Sequence, residues 1–411
     1  MDIRLSTIRA LIPEWSFLIL FPGFFFYHTM AGYNLFPPVL GGFFSPMSVL
    51  LFPFLFMVYV QTVTKDKTEF TGTDQLFFLY VAFFVLVLAF SFVGQKPIEL
   101  IAQHAVSIIH LGCCFFIFKT IDFRSKSFRR IAFACLIAMT VLIFMLSVDG
   151  TFYLRQDAAD GSDAIASYQG FSRSYLMTAI ALVAFTDRLR VRLIIYAVCI
   201  PSLYLAVARS EFAAFFLFAC VMEIISSKKP MAMILTIAVI AGVTYSSLEV
   251  ITTLLPENRV LELLVSGEST SGDARDEYSV AALRTITDNV FLGDYGSYIP
   301  TTGVGSEAHN ILSAWVDLGF TGFALLSFIL LRSATQFVKF ARSRSTRSLN
   351  GFKLALCLLL MTIFLLLTAK DFTYMLVGAA LGICSAYMAY RRRERRAEEQ
   401  ALPAAIWQQA A

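Results

Sequence analysis

LFFLYVAFFVLVLAFSFVG, residues 76–94, runs nineteen positions without a charged side chain. A helix gains about 1.5 Å per residue, so this stretch reaches about 28 Å, close to the hydrocarbon thickness of a bilayer. It is too long for a buried strand and predicts a membrane-spanning helix. Working outward, comparable apolar runs occupy 15–33, 43–63, 99–118, 130–148, 171–186, 191–208, 211–226, 230–247, 309–331, 352–369 and 371–390. The whole 411-residue chain is 58% hydrophobic and 15% charged, whereas soluble domains carry about 25% charged residues. The composition predicts an all-α polytopic membrane protein with about twelve spans and a single transmembrane domain over 1–411. No cleavable signal peptide stands out before the first run, since Met1–Pro13 is short and the run from Trp15 lacks a small-residue cleavage site.

Charge orients the chain. With a cytoplasmic amino terminus and alternating spans, 25 of the 33 Lys and Arg fall on the cytoplasmic side. These include Arg124, Lys126, Arg129, Arg130, Arg342, Arg344, Arg347 and the cluster Arg391–Arg396. The other eight are Lys96, Arg155, Arg173, Arg209, Arg259, Arg275, Arg284 and Lys370. Basic loops stay inside, so both termini are expected in the cytoplasm. Two segments outside the membrane then face outward: Asp149–Gly170 and a long loop, 248–308, between the ninth and tenth spans. The long loop is acidic, and within it Val280, Leu283, Ile286 and Val290 recur at helical spacing, predicting a short amphipathic helix at the membrane surface. The tail 391–411 reads as a cytoplasmic stop-transfer cluster followed by a solvated end.

The outward cations are exceptions to a steep rule and are candidate site residues. Arg173, Arg209 and Lys370 are expected where outward-facing spans begin. Backbone N–H groups and a cation together suit an anion such as phosphate there. Arg209 stands in Ala208-Arg209-Ser210-Glu211 with almost no loop around it, and Ser210 is a candidate helix cap. Pairing with Glu211 or lipid headgroups is the alternative use of Arg209. His309, in Glu307-Ala308-His309-Asn310, is expected at the start of the tenth span, where a helix amino terminus favours the neutral imidazole, a usable general base. A helix-capping or headgroup-contacting role is its alternative. His28, His104 and His110 lie within apolar runs and are expected to bond neighbouring helices, while Glu223 and Asp317 are open to either use. The seven cysteines all fall in apolar runs without ligand spacing and are expected to act as small hydrophobes. The first outward loop, NLFPPVLGG, has no acid, and the acids of the long loop lack ligand spacing, so no metal and no cofactor is expected.

The segment His309–Leu326, HNILSAWVDLGFTGFALL, resembles the hallmark of the O-antigen ligase and O-antigen/exopolysaccharide polymerase superfamily: His-Asn, an apolar helix, then Gly319 and Gly322 as Gly-x-x-Gly. Upstream, SGDARDEYSVAALRTITDNVFLGDYGSY is similar to the long loop of that family, with Arg275 in it, and ARSEF around Arg209 is similar to its Ser-Arg motif. The likeness covers about Phe171–Leu331. Ala208 stands where the family usually has Ser, and Glu211 where it usually has a small residue. The resemblance implies a bacterial inner-membrane glycosyltransferase of the C-type fold, metal-independent and inverting. Its donor would be an undecaprenyl-diphosphate-linked glycan and its acceptor another repeat unit (a polymerase) or lipid A–core (a ligase). It also implies that Arg209 and Arg275 hold the diphosphate and His309 activates the acceptor hydroxyl, with Arg173, Ser210, Asn310 and Lys370 as supporting residues. Implied partners are membrane lipids and a chain-length regulator, not nucleic acid. The alternative from a different class is a transporter, but charges gathered at one face rather than mid-membrane suit an enzyme at the interface.

Overall fold

The computed structural model describes residues 5–33, 35, 37, 42–152, 168–247, 250, 252–253, 256, 260–261, 270–303 and 307–409. Among them the regular structure is all helical, apart from one bridge between Val148 and Thr151. In order come α1 (Leu5–Leu18), α2 (Phe24–Gly32), α3 (Phe44–Lys65), α4 (Gly72–Val93), α5 (Ile98–Thr120), α6 (Lys126–Leu146) and α7 (Tyr168–Ala184). They are followed by α8 (Leu189–Leu205), α9 (Arg209–Ser226), α10 (Pro230–Ser246), α11 (Thr270–Asp288), α12 (Leu312–Ala341), α13 (Asn350–Thr368) and α14 (Leu376–Gln409). Among the described residues, seven stretches are long and apolar enough to cross a membrane: Arg9–Gly32, α3, α4, α5, α6, α12 and α13. The protein is therefore an α-helical polytopic membrane protein. This follows from the sequence, because a backbone in hydrocarbon must satisfy its own N–H and C=O groups, and an apolar chain does so only as helix.

Helix α1 runs into α2 through a π-helical turn, Ile19–Gly23, holding Pro22. Proline lacks an N–H and crowds the preceding turn, and a widened turn relieves both. The centre of the bundle is the crossing of α5 and α14. A Cβ on Gly378 would lie 2.1 Å from the Leu111 carbonyl oxygen, and one on Gly382 would lie 2.4 Å from that of Phe115. Two glycines four residues apart thus let one backbone rest on the other, the usual means of tight association when no hydrophobic drive separates helix from lipid.

Helix α12 is broken at Gly319, whose φ of 68° no side-chain-bearing residue adopts comfortably. The break frees two backbone groups, and the segment after α11 satisfies both. Asp294 N–H donates to the Val316 carbonyl at 2.8 Å, and Phe320 N–H donates to the Phe291 carbonyl at 3.1 Å. Trp315 Nε1 adds a bond to the Val290 carbonyl at 2.7 Å. The same segment supplies Gly296 N–H to the buried Asp317 carboxylate at 2.9 Å.

Several expectations shift. The amphipathic helix begins earlier, at Thr270, and ends before Val290. Its Ile286 joins Ala282 against Val316 of α12, leaving Val280 and Leu283 outward. The tail keeps an exposed end at 397–400 beyond its basic cluster. Helix α14 continues through it, tied by Arg391–Glu394 and by Arg393–Glu69 at 3.0 Å. At that end of the bundle Lys119 and Asp74 form an ion pair at 3.6 Å with both side chains fully buried. Lys119 donates to the Glu69 carbonyl and Ser385, and Tyr59 donates to Asp74. From α8, Arg192 grips Glu223 of α9 with two hydrogen bonds, 2.6 and 2.7 Å, and Tyr196 adds a third at 2.8 Å, so Glu223 is a structural anchor.

Candidate functional site

The candidate residues gather at the opposite end, where α7 and α9 start and α13 stops. Arg209 is the first residue of α9, behind Ala208, which supplies no side-chain cap. The preceding Val207 has φ 64°, a conformation that costs a β-branched residue about 1–3 kcal/mol. That turn reverses the chain from α8 into α9 without a loop. Ser210 does not cap the helix as its position suggests. It lies one residue inside, and its Oγ donates to Glu211 Oε2 at 2.7 Å.

Glu211 is fully buried, and its partner is Lys370, at 2.9 Å. Lys370 Nζ also donates to Gln169 Oε1 at 3.0 Å and lies 5.4 Å from the centre of the Tyr374 ring. Arg173 approaches the same ring at 6.0 Å. Arg173 sits in the second turn of α7, and Lys370 sits in the turn between α13 and α14, so neither opens a helix as the sequence suggests. Two cations stand over one aromatic ring, with the buried Glu211 carboxylate against Lys370 and the Asp371 carboxylate on the same cavity wall.

Next to it lies His309. It is three residues ahead of α12, not in its first turn, so the helix dipole is not what governs its proton. Burial pushes its pKa below the ordinary 6.5, and the charge of Arg275 pushes it further, against the pull of Asp371. The imidazole is therefore neutral near pH 7 for a different reason than its sequence position suggests. Its ring meets Tyr278 of α11 edge-on at 6.2 Å. Asn310 caps α12 by accepting from Leu312 N–H at 2.9 Å, and its Nδ2 reaches Ser279 at 3.3 Å. Ser313 accepts from Phe372 N–H at 3.1 Å and donates to the Asn310 carbonyl at 2.7 Å. Ile311 N–H reaches the Leu366 carbonyl at 2.6 Å. The His309–Asn310 turn is thereby stitched to the Lys370–Phe372 turn, and Glu307 nearby has its pKa raised by burial and by Asp371.

A cavity of about 600 Å³ opens at this corner, its walls including Gln103, His110, Gln169, Arg173, Lys370 and Tyr374. Such a volume suits a small-molecule headgroup. The structure thus brings Ser210, Arg173 and Lys370 together through Glu211 and Tyr374, and brings His309 within the electrostatic reach of Arg275 and Lys370. Asp371, Gln169, Tyr374 and Tyr278 were not indicated by the sequence. Only the adjacency of Asp371 to Lys370 could have signalled any of them. Among the described residues no three His, Cys, Asp or Glu side chains cluster as metal ligands. Glu249, Glu257, Glu262 and Glu268 of the long loop lie outside the described residues, as do Arg155 and Arg259. No protein-family model, no curated protein and no solved structure matches the chain.

Proposed function

We propose that the chain is a bacterial inner-membrane glycosyltransferase that takes a glycan from undecaprenyl diphosphate at the periplasmic face and adds it to another lipid-linked repeat unit, polymerising O-antigen or exopolysaccharide. One observation carries the reading: a neutral histidine and several cations share one end of the bundle beside a cavity of headgroup size. The acceptor hydroxyl would attack the anomeric carbon, with its proton passing to His309, as the bond to the diphosphate oxygen breaks. Developing negative charge on the leaving diphosphate calls for fixed cations, and Arg209 and Arg275 are the residues assigned to it. Inversion at the anomeric carbon follows from a single displacement.

The reading includes twelve spans with both termini cytoplasmic. Helices α7, α8, α9 and α10 and the start of α14 would complete the count. Seventeen residues rise about 26 Å, at the short end of what crosses a bilayer. A C-type glycosyltransferase fold belongs to the same proposal. An acidic long loop repels a phosphorylated lipid A–core, which favours polymerase over ligase. Deleting the gene separates the two. A polymerase deletion leaves acceptors carrying single repeat units, and restoring the wild-type gene returns a ladder. Full-length polymer stranded on the lipid carrier would instead identify a ligase, and an unchanged ladder would remove both.

A further inference from the structure

Helix α4 ends in a tight turn. Lys96 N–H donates back to the Ser91 carbonyl at 3.0 Å and Gly94 N–H to that of Phe90 at 2.8 Å, with Gln95 at φ 55°. The turn brings Lys96 to the segment that follows α11, where its Nζ donates to Asp294 Oδ1 at 2.8 Å. Both side chains are 40% exposed, and among the described residues neither has another partner. The pair therefore keeps unused ammonium N–H groups on one side and an unused carboxylate oxygen on the other. Next to it a groove of about 420 Å³ runs between α4 and α12, with Lys96 at its rim. Its walls are apolar, among them Phe83, Phe90, Phe291, Leu292 and Leu318. Phe90 is 69% exposed and Leu292 88%, so the groove opens off the side of the bundle rather than into its interior. From Gly94 down to Phe83 it follows α4 for about 16 Å, and one leaflet of a hydrocarbon core about 30 Å thick is about 15 Å deep. None of these residues is assigned to glycan transfer.

We infer that this groove binds one zwitterionic aminophospholipid, of the phosphatidylethanolamine kind, with an acyl chain lying between α4 and α12. The lipid head is the complement of the ion pair at the rim. Its phosphate takes the unused donors of Lys96, and its ammonium takes the unused oxygen of Asp294. An anionic phospholipid without an amine would set its phosphate beside Asp294 with nothing to answer that carboxylate. The groove is one leaflet deep, which suits an acyl chain, whereas an undecaprenyl chain is longer than a leaflet is deep. The bound lipid has a structural task. The segment that satisfies the backbone groups freed at Gly319 is also a wall of the groove. A chain seated there covers Phe291 and Leu292 and holds that segment against the break in α12.

Full-length protein in detergent is stripped of lipid and titrated separately with dioleoyl phosphatidylethanolamine, dioleoyl phosphatidylglycerol and undecaprenyl phosphate. Native mass spectrometry counts the bound lipid for the wild type, Lys96→Gln, Asp294→Asn and Thr321→Trp. A charge contact at the membrane surface is worth about fivefold in affinity. The wild type should therefore hold one phosphatidylethanolamine about fivefold more tightly than phosphatidylglycerol. Lys96→Gln should weaken both phospholipids by about that factor, and Asp294→Asn should erase the preference between them. Thr321 lines the groove from its exposed side, so Thr321→Trp plugs it and should abolish retention. Phosphatidylethanolamine should also raise the unfolding temperature of the wild type but not of Thr321→Trp. If a charge variant does not fold, Thr321→Trp, outside the ion pair, decides the matter. A wild type that retains no phospholipid, or Thr321→Trp that retains it at wild-type affinity, overturns the site. Equal affinities of the wild type for the two phospholipids overturn the aminophospholipid assignment. Undecaprenyl phosphate that displaces phosphatidylethanolamine one for one gives the groove to the carrier lipid and overturns the inference.

Discussion

Glu211 and Lys370 are 159 positions apart, and their ion pair fastens the start of α9 to the turn ahead of α14. The side chains are 0% and 9% exposed, so each charge depends on the other. In Lys370→Met, Glu211 keeps only the Ser210 hydroxyl as a donor. Breaking a buried pair from one side costs about 3–5 kcal/mol, because the charge left behind has lost both water and partner. In Glu211→Gln, Lys370 still has Gln169 and the Tyr374 ring, so the loss should be about 1.5–3 kcal/mol, the range for a hydrogen bond to a charged group. The double variant removes both charges and should be more stable than the sum of the single losses by about 2 kcal/mol. The assay is equilibrium unfolding in mixed micelles with rising denaturing detergent, run on all four proteins. Lys370→Met as stable as the wild type, or single losses that simply add, would refute the pairing.

Three further perturbations follow from other parts of the fold. Because burial and Arg275 hold the His309 pKa below 6.5, its base form persists as pH falls through neutrality. The acid limb of kcat/KM should therefore lie below pH 6.5, and Arg275→Gln should move it upward; a limb unmoved by that substitution would separate the two residues. Gly319→Ala places a Cβ 2.6 Å from the Phe291 carbonyl oxygen at positive φ, so folded yield in detergent should drop sharply, and a wild-type yield would mean α12 is unbroken there. Gly378→Leu should separate α5 from α14 and abolish folded protein, as size-exclusion chromatography would report.

Charge-free stretches such as 76–94 announce helices, because hydrocarbon tolerates little else. Which face of such a helix is buried is a different matter. Phe77, Tyr80, Phe84 and Leu88 of α4 point inward, while Leu79, Leu86 and Phe90 point outward, and the two sets are chemically alike since lipid and core are both apolar. Helix ends depend on distant partners for the same reason. Helix α12 starts at Leu312 because Asn310 caps it and because Ser313 and Ile311 bond the turn at 366–372. Gly319 is visible as a glycine, but its positive φ is set by the Phe291–Gly296 segment lying against it. At the candidate site, unusual placement of cations singled out Arg173, Arg209 and Lys370. Their local sequence could not reveal that Lys370 answers Glu211 while Arg173 is left facing the cavity.

Glycan transfer itself is best tested with purified protein and undecaprenyl-diphosphate glycan, with EDTA present throughout. The proposal predicts that the wild type lengthens the glycan and releases undecaprenyl diphosphate. His309→Gln, which can still hydrogen-bond but is no longer a base, should slow transfer by about 10²–10⁴-fold while still binding the donor. No transfer by the wild type, or a full rate from His309→Gln, would contradict it.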